Sequence, residues 1–141
     1  GRYLRQFFHP IQAYLQAHQE TTGELKTLID PYQKAFERLQ QLTAHLAQKG
    51  LANPDEIGAA ASDYLRLFAL IALGYLWIRA AEIARVRLES GTGDGQFYQS
   101  KWDTAVFFMQ KILPQTATLS LCILSGSKPL MAVGDRSFGP F

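Results

Sequence analysis

Residues 67–78 read LFALIALGYLWI, and this apolar run, bracketed by Arg66 and Arg79, decides the fold class. It lacks the alternation of polar and apolar residues that is typical of a half-buried strand. Valine, which favours strands, occurs only three times in the chain. Because a membrane-spanning helix needs about 20 apolar residues, we interpret the shorter run as a core helix and expect no membrane span. Since it is apolar all round, we expect other elements to surround it.

The helix that contains this run has clear start and stop signals. Asn53 can cap its first turn, and Pro54 suits the first helical position. The segment GTGDG, residues 91–95, follows Ser90 and predicts the end of the helix there. Gly74 lies inside the apolar run and predicts a close crossing with another helix, because glycine is otherwise unfavourable in a helix interior.

Three further helices are predicted from apolar residues at helical spacing. Their expected ranges are Arg2–Glu20, Thr21–Gly50 and Gln96–Leu124, with kinks at Pro10, Pro31 and Pro114. Thr21 and Glu24 match a capping box at the start of the second helix, and Gly50 is expected to end it in a left-handed conformation. The second helix has the most regular apolar register, formed by Leu25, Leu28, Tyr32, Ala35, Leu39, Leu42 and Leu46.

These elements predict an all-α fold, an antiparallel up-down four-helix bundle with the third helix at its centre. A short C-terminal helical tail is expected at residues 129–132, and residues 1–141 form one domain. Because the chain begins without a methionine in a helical pattern, we expect it to be a fragment of a longer protein. It has no signal-peptide pattern, and we expect a cytoplasmic location.

Composition and isolated polar residues predict no chemistry of their own. Fourteen basic and twelve acidic residues give a formal net charge of +2, which provides no general case for nucleic-acid binding. His9, His18 and His45 match no metal-ligand spacing. Cys122, the only cysteine, lies in an apolar run and is expected to be a small buried hydrophobic residue. The sequence predicts no catalytic, cofactor-binding or metal-binding residue.

The charged residues beside the apolar run are the best candidates for a contact site. Asp63 and Arg66 are spaced to meet on one helix face, and the group also includes Arg79, Lys101 and Asp103. The main interpretation is a set of salt bridges that lock the bundle, because charges that face inward are normally paired. The alternative is a contact with a ligand or a neighbouring domain.

Several segments resemble one protein family. The segment DYLRLFALIALGYL, residues 63–76, is similar to a central helix of the acetyl-CoA dehydrogenase C-terminal-like domain. Residues 97–101, 105–108 and 112–114 resemble its following segment, and residues 129–132 its end. The strong resemblance spans about residues 55–138. The family that it points to includes 3-methylmercaptopropionyl-CoA dehydrogenase-like enzymes. The family often has proline at Asp63 and glycine at Ala69, so the resemblance does not carry Asp63 over as a shared functional position.

The resemblance implies a C-terminal accessory domain of an FAD-dependent acyl-CoA dehydrogenase, an oxidoreductase of fatty acid metabolism. In such enzymes the base, the FAD and the acyl-CoA substrate belong to an N-terminal core, so this chain would hold no cofactor. It would pack on that core or on a partner subunit of a homo-oligomer, and an apolar patch is expected where the core would sit. The alternatives are a free-standing helical-bundle interaction module and a ligand-binding or CoA-binding bundle lined by Arg66, Arg79 or Lys101.

Overall fold

A computed structural model describes residues 2–126 of the chain, and this part is helical with no strand. The predicted all-α helical bundle is confirmed. A π-helical segment, Phe108–Ile112, joins the last two helices. The helices are α1 Arg2–Ala17, α2 Glu24–Ala52, α3 Pro54–Ser90, α4 Gly95–Phe107 and α5 Gln115–Leu124. The expected tail at residues 129–132 lies outside the described residues.

The first three helices run alternately up and down. Phe7, near the start of α1, stacks on Phe68 in the first half of α3, and Tyr14, later in α1, binds Glu82, late in α3. The hydroxyls of Thr43 and Tyr64 lie 2.7 Å apart, whereas Arg85, late in α3, binds Glu24 at the start of α2. Therefore α1 is parallel to α3, and α2 is antiparallel to both.

The predicted limits of α3 are confirmed. The side chain of Asn53 accepts a hydrogen bond from the backbone N–H of Asp55 at 3.1 Å, and Pro54 is the first helical residue. At the other end Gly91 is left-handed, with φ 67°, and its N–H donates to carbonyls in the last turn. Thr92 N also donates to Arg87 O at 3.1 Å, which completes a Schellman-type end.

The apolar register of α2 is confirmed, and the helix continues through Pro31. Its predicted ends are wrong. Gly23, with φ 79°, separates Thr21 from Glu24, so the helix begins at Glu24 without a side-chain cap and the capping box does not form. Gly50 is an ordinary helical residue, and α2 ends at Ala52 with Asn53 serving both helices.

The predicted fourth helix is divided in two before Pro114. Proline has no N–H and its ring would clash with the carbonyl of Gln110 in a regular helix. The chain widens instead into the π segment, where Leu113 N donates to Phe108 O at 2.8 Å. As a result Leu113 is buried, with 2% of its surface exposed, while Ile112 is only half-buried.

The close crossing predicted at Gly74 is confirmed. A Cβ placed on Gly74 would lie 2.6 Å from the ring carbon Cε1 of Tyr32. The Tyr32 ring is fully buried, and its hydroxyl donates to the carbonyl of Ile71 at 2.7 Å. Burial raises the pKa of Tyr32. The crossing therefore joins α2 to the apolar middle of α3.

Candidate functional site: the exposed face of α3

One face of α3 is apolar and open to solvent. Its exposed members recur at helical spacing, with 67% of Leu65 and 63% of Leu76 exposed. From Leu65 to Val86 the face is about 30 Å long, at about 1.5 Å per residue. We call this surface the α3 outer face, and it is formed by Leu65, Leu73, Leu76, Ile83 and Val86. The expected exposed apolar patch is therefore present, but the prediction that other elements surround the run at residues 67–78 is wrong for the described part of the chain, since Leu73 and Leu76 are exposed.

A shallow apolar cavity of about 390 Å³ continues the outer face toward the start of α3. Leu65 belongs to both surfaces. The cavity is lined by Leu4, Thr43, Leu46, Ala47, Ile57, Ala61, Tyr64 and Leu65. Since α1, α2 and α3 all contribute, the apolar surface extends beyond a single helix.

The charged residues singled out in the sequence do not form the predicted salt bridges. Asp63 is half-buried and Arg66 is exposed, and neither has an ion pair among the described residues. Residues three apart on a helix are close enough to meet, but exposed arginines gain little from pairing because water screens the charges. The structure therefore contradicts the interpretation of Asp63 and Arg66 as bundle-locking partners.

Aromatic rings, rather than carboxylates, accompany the other candidate cations. The guanidinium of Arg79 lies 5.8 Å from the Tyr75 ring centroid. Lys101 Nζ is 5.1 Å from the ring of Phe97 and 5.9 Å from that of Trp77. These are cation–π distances. Asp103 is exposed and accepts a hydrogen bond from Gln99 at 2.9 Å.

Sequence reasoning missed a cluster that joins α1 to α3. The hydroxyl of Tyr14 donates to Glu82 Oε2, and His18 Nε2 lies 3.0 Å from the same oxygen. Burial and the neighbouring Glu82 carboxylate raise the pKa of Tyr14. The spacing of Tyr14 and His18 does place them one turn apart, but Glu82 is so distant in sequence that no local pattern pairs it with them. The cluster positions α1, because it holds Tyr14 and His18 of α1 against Glu82 of α3.

Cys122 is exposed, so its predicted burial is wrong. The apolar run around it belongs to α5, in which the buried residues are Thr116, Leu119, Ser120 and Ile123. Position 122 falls outside this buried side of α5. Among the described residues, no group of three or more His, Cys, Asp or Glu side chains could hold a metal ion. Residues 91–94 connect α3 to α4, which begins at Gly95.

Two helical stretches are long and apolar enough to cross a membrane by length and composition alone. They are Pro54–Ser90 and Gly95–Leu124, each with 33% of its most apolar window buried. Core helices of soluble proteins pass the same test, so this is weak evidence for a span. The absence of a membrane span stays a prediction.

The described part of the chain is thus a helical bundle whose longest helix, α3, leaves one largely apolar face exposed to solvent. The family model described as acetyl-CoA dehydrogenase C-terminal like matches residues 7–134. The chain belongs to this family. The match begins in α1, well before the region of about residues 55–138 in which the resemblance was strongest. No curated protein matches the chain.

Proposed function

We propose that the chain is the C-terminal accessory domain of an FAD-dependent acyl-CoA dehydrogenase and is not catalytic alone. It packs on the dehydrogenase core or on a partner subunit of a homo-oligomer, in the cytoplasm, and serves the oxidation of acyl-CoA thioesters. The family match supports the assignment to this class of enzymes. The observation that carries the packing role is the α3 outer face, because soluble proteins rarely leave a long apolar stripe uncovered.

The described residues do not fit FAD. A cofactor of that size is bound in a cleft that covers most of its surface. The cavity of about 540 Å³ between α2 and α5 is an open groove bordered by exposed Leu121 and Leu124, and it would not cover such a cofactor. We therefore assign the flavin and the thioester to the core, and we derive no chemical step within this chain.

The same cavities bear on the CoA-binding alternative. That alternative requires a pocket lined by Arg66, Arg79 or Lys101. The cavity beside the α3 outer face and the open groove are lined by other residues. The remaining alternative, a free-standing interaction module, uses the same α3 outer face and differs only in the partner.

A binding experiment tests the proposal. The 141-residue chain is mixed with a separately produced acyl-CoA dehydrogenase core from the same polypeptide, and the complex is measured by size-exclusion chromatography with flavin absorbance. We expect co-elution that is lost when Leu65→Glu and Leu76→Glu are combined. Phe107→Glu is the matched control, since it places the same charge on another exposed apolar position.

Two results would contradict the proposal. One is a chain that never co-elutes with the core. The other is a complex in which the double variant binds as well as the control, which would move the packing surface away from α3. If the coding sequence upstream of Gly1 lacks a dehydrogenase core, the free-standing module is favoured.

A further inference from the structure

A second concave surface lies between α2 and α5 and shares no residue with the α3 outer face. Two cavities of about 540 and 260 Å³ lie in line along it, and Arg38 and Ala117 line both. On the α2 side the surface extends from Pro31 to His45, about 20 Å along the helix axis at about 1.5 Å per residue. We call this surface the α2–α5 groove.

The α2 wall of the groove is basic. Lys34, Arg38 and His45 lie on one face of α2, at spacings of four and seven residues. No residue that lines either cavity is acidic. The wall therefore presents positive charge without a counter-charge in the groove.

Arg38 is the central residue of this wall. It is half-buried, and its only side-chain hydrogen bond within residues 2–126 goes from Nη1 to Thr116 Oγ1, at 3.3 Å. The Thr116 hydroxyl donates its own hydrogen bond to the carbonyl of Leu113. Thr116 therefore holds the guanidinium in place without neutralising its charge. The planar guanidinium group is well suited to bind a carboxylate or a phosphate with two hydrogen bonds. In the part of the chain described, Arg38 has no ion pair.

The α5 wall is apolar. Leu121 is 70% exposed and Leu124 is 55% exposed, and both line the larger cavity together with buried Leu42. His45 stands at the same end, half-buried and without a hydrogen bond or ion pair to any residue of the described range. A ligand in the groove would thus meet cations on one side and leucines on the other.

We propose that the α2–α5 groove binds an acidic amphipathic segment of a partner protein. Carboxylates of the segment pair with Arg38 and Lys34, and its apolar side chains cover Leu121 and Leu124. The elongated shape, with two cavities in line over several helical turns, matches a helix laid into a groove. Charge complementarity selects an acidic segment over a neutral one. The proposal does not rest on the dehydrogenase assignment, because it uses a different surface.

Fluorescence anisotropy with a defined probe tests this site. The probe is a labelled helical peptide of about 18 residues, long enough to span the groove, with glutamate on one face and leucine on the other. We expect the 141-residue chain to bind it and the affinity to fall roughly tenfold in Arg38→Gln and in Leu121→Glu. Arg87→Gln, an exposed arginine on α3, is the matched control and should bind as the wild type does.

Further binding measurements, with added salt, a second peptide and lipid vesicles, distinguish the possible outcomes. Binding should weaken as salt is raised, since exposed charges are screened. A peptide with lysine in place of glutamate should not bind. The proposal is overturned by equal binding of the lysine peptide, by no binding at about 1 mM peptide, or by insensitivity to Arg38→Gln with circular dichroism unchanged. Arg38-dependent binding to phosphatidylglycerol vesicles without binding to the peptide would reassign the groove to an anionic membrane surface.

Discussion

The ring of Tyr32 occupies the space that a side chain on Gly74 would fill. A Cβ at position 74 would lie 2.6 Å from Tyr32 Cε1 and 2.9 Å from Cδ1, well inside normal contact. Because the hydroxyl of Tyr32 is also held by the carbonyl of Ile71, the ring has little freedom to retreat. The contact of these two residues therefore fixes how closely α2 and α3 approach.

This contact predicts that Gly74→Ala destabilises the fold despite alanine's better helix propensity. Overpacking a fitted core typically costs about 1–3 kcal/mol. The control is Gly58→Ala, also within α3, where a Cβ would meet nothing within 4 Å. We expect it to stabilise by up to about 1 kcal/mol. Urea unfolding followed by circular dichroism measures both, and equal effects at the two positions would show that the crossing is not tightly packed.

The two buried tyrosines predict loss of stability at alkaline pH. Burial raises the pKa of Tyr32 and, with help from Glu82, that of Tyr14, whereas in the unfolded chain both ionise near pH 10. Above that pH the folded state holds more protons than the unfolded state, so the free energy of unfolding falls as pH rises. Below about pH 9 these groups cause no pH dependence, because both states are protonated.

Combining Tyr14→Phe with Tyr32→Phe should flatten this alkaline slope. Tyr3→Phe, at a residue that is 84% exposed, should leave it unchanged. The measurement is urea unfolding at intervals from pH 8 to about 11, around the ordinary tyrosine pKa. An unchanged slope in the double variant would assign the alkaline loss to other groups.

The attachment of α1 to α3 predicts a local effect of Glu82→Gln. Tyr14 and His18 share one carboxylate oxygen of Glu82, so the substitution weakens two contacts at once. We expect a loss of about 1 kcal/mol, typical of hydrogen bonds to a partly exposed charged group. Hydrogen exchange should become faster in the second half of α1 while the middle of α3 stays protected. Glu89→Gln, which loses only an exposed pair with Arg85, should leave α1 unchanged.

Substitutions on the α3 outer face should separate stability from association. Leu76→Glu replaces a residue that is 63% exposed, and we expect it to change the free energy of unfolding by only about 0.5 kcal/mol. Phe36→Ala, in the core at 2% exposure, should cost about 3–5 kcal/mol. Thermal unfolding measures both, and a large loss in Leu76→Glu would show that the face is covered within the chain.

Local sequence signals predicted the parts of the fold that depend on local physics. The register of α2 from Leu28 to Leu42, the cap at Asn53 and the stop at Gly91 each follow from side chains a few residues apart. Thr21 and Gly50 carried similar signals, but the helix ends predicted from them are wrong. At Thr21 a left-handed Gly23 interrupts the capping geometry, and at Gly50 the helix continued until Asn53 supplied a better boundary.

The candidate surfaces were predicted less completely, because they depend on which helix covers which face. The family resemblance implied an exposed apolar patch, but the sequence did not locate it on the outer face of α3, since the run at 67–78 is apolar on all sides. The pairing of Tyr14 and His18 with Glu82 and the position of Arg38 beside Thr116 both join residues far apart in sequence. Only the packing of the bundle brings them together.

The π segment carries one residue more per turn than a regular helix, and this surplus sets the orientation of everything after it. Deleting one residue from Phe108–Ile112 would turn α5 by about 100° around its own axis. Leu121 and Leu124 would then swing away from Arg38, and Cys122 would rotate with them. The one extra residue between α4 and α5 therefore determines that the leucines of α5 and the basic face of α2 line the same groove from opposite sides.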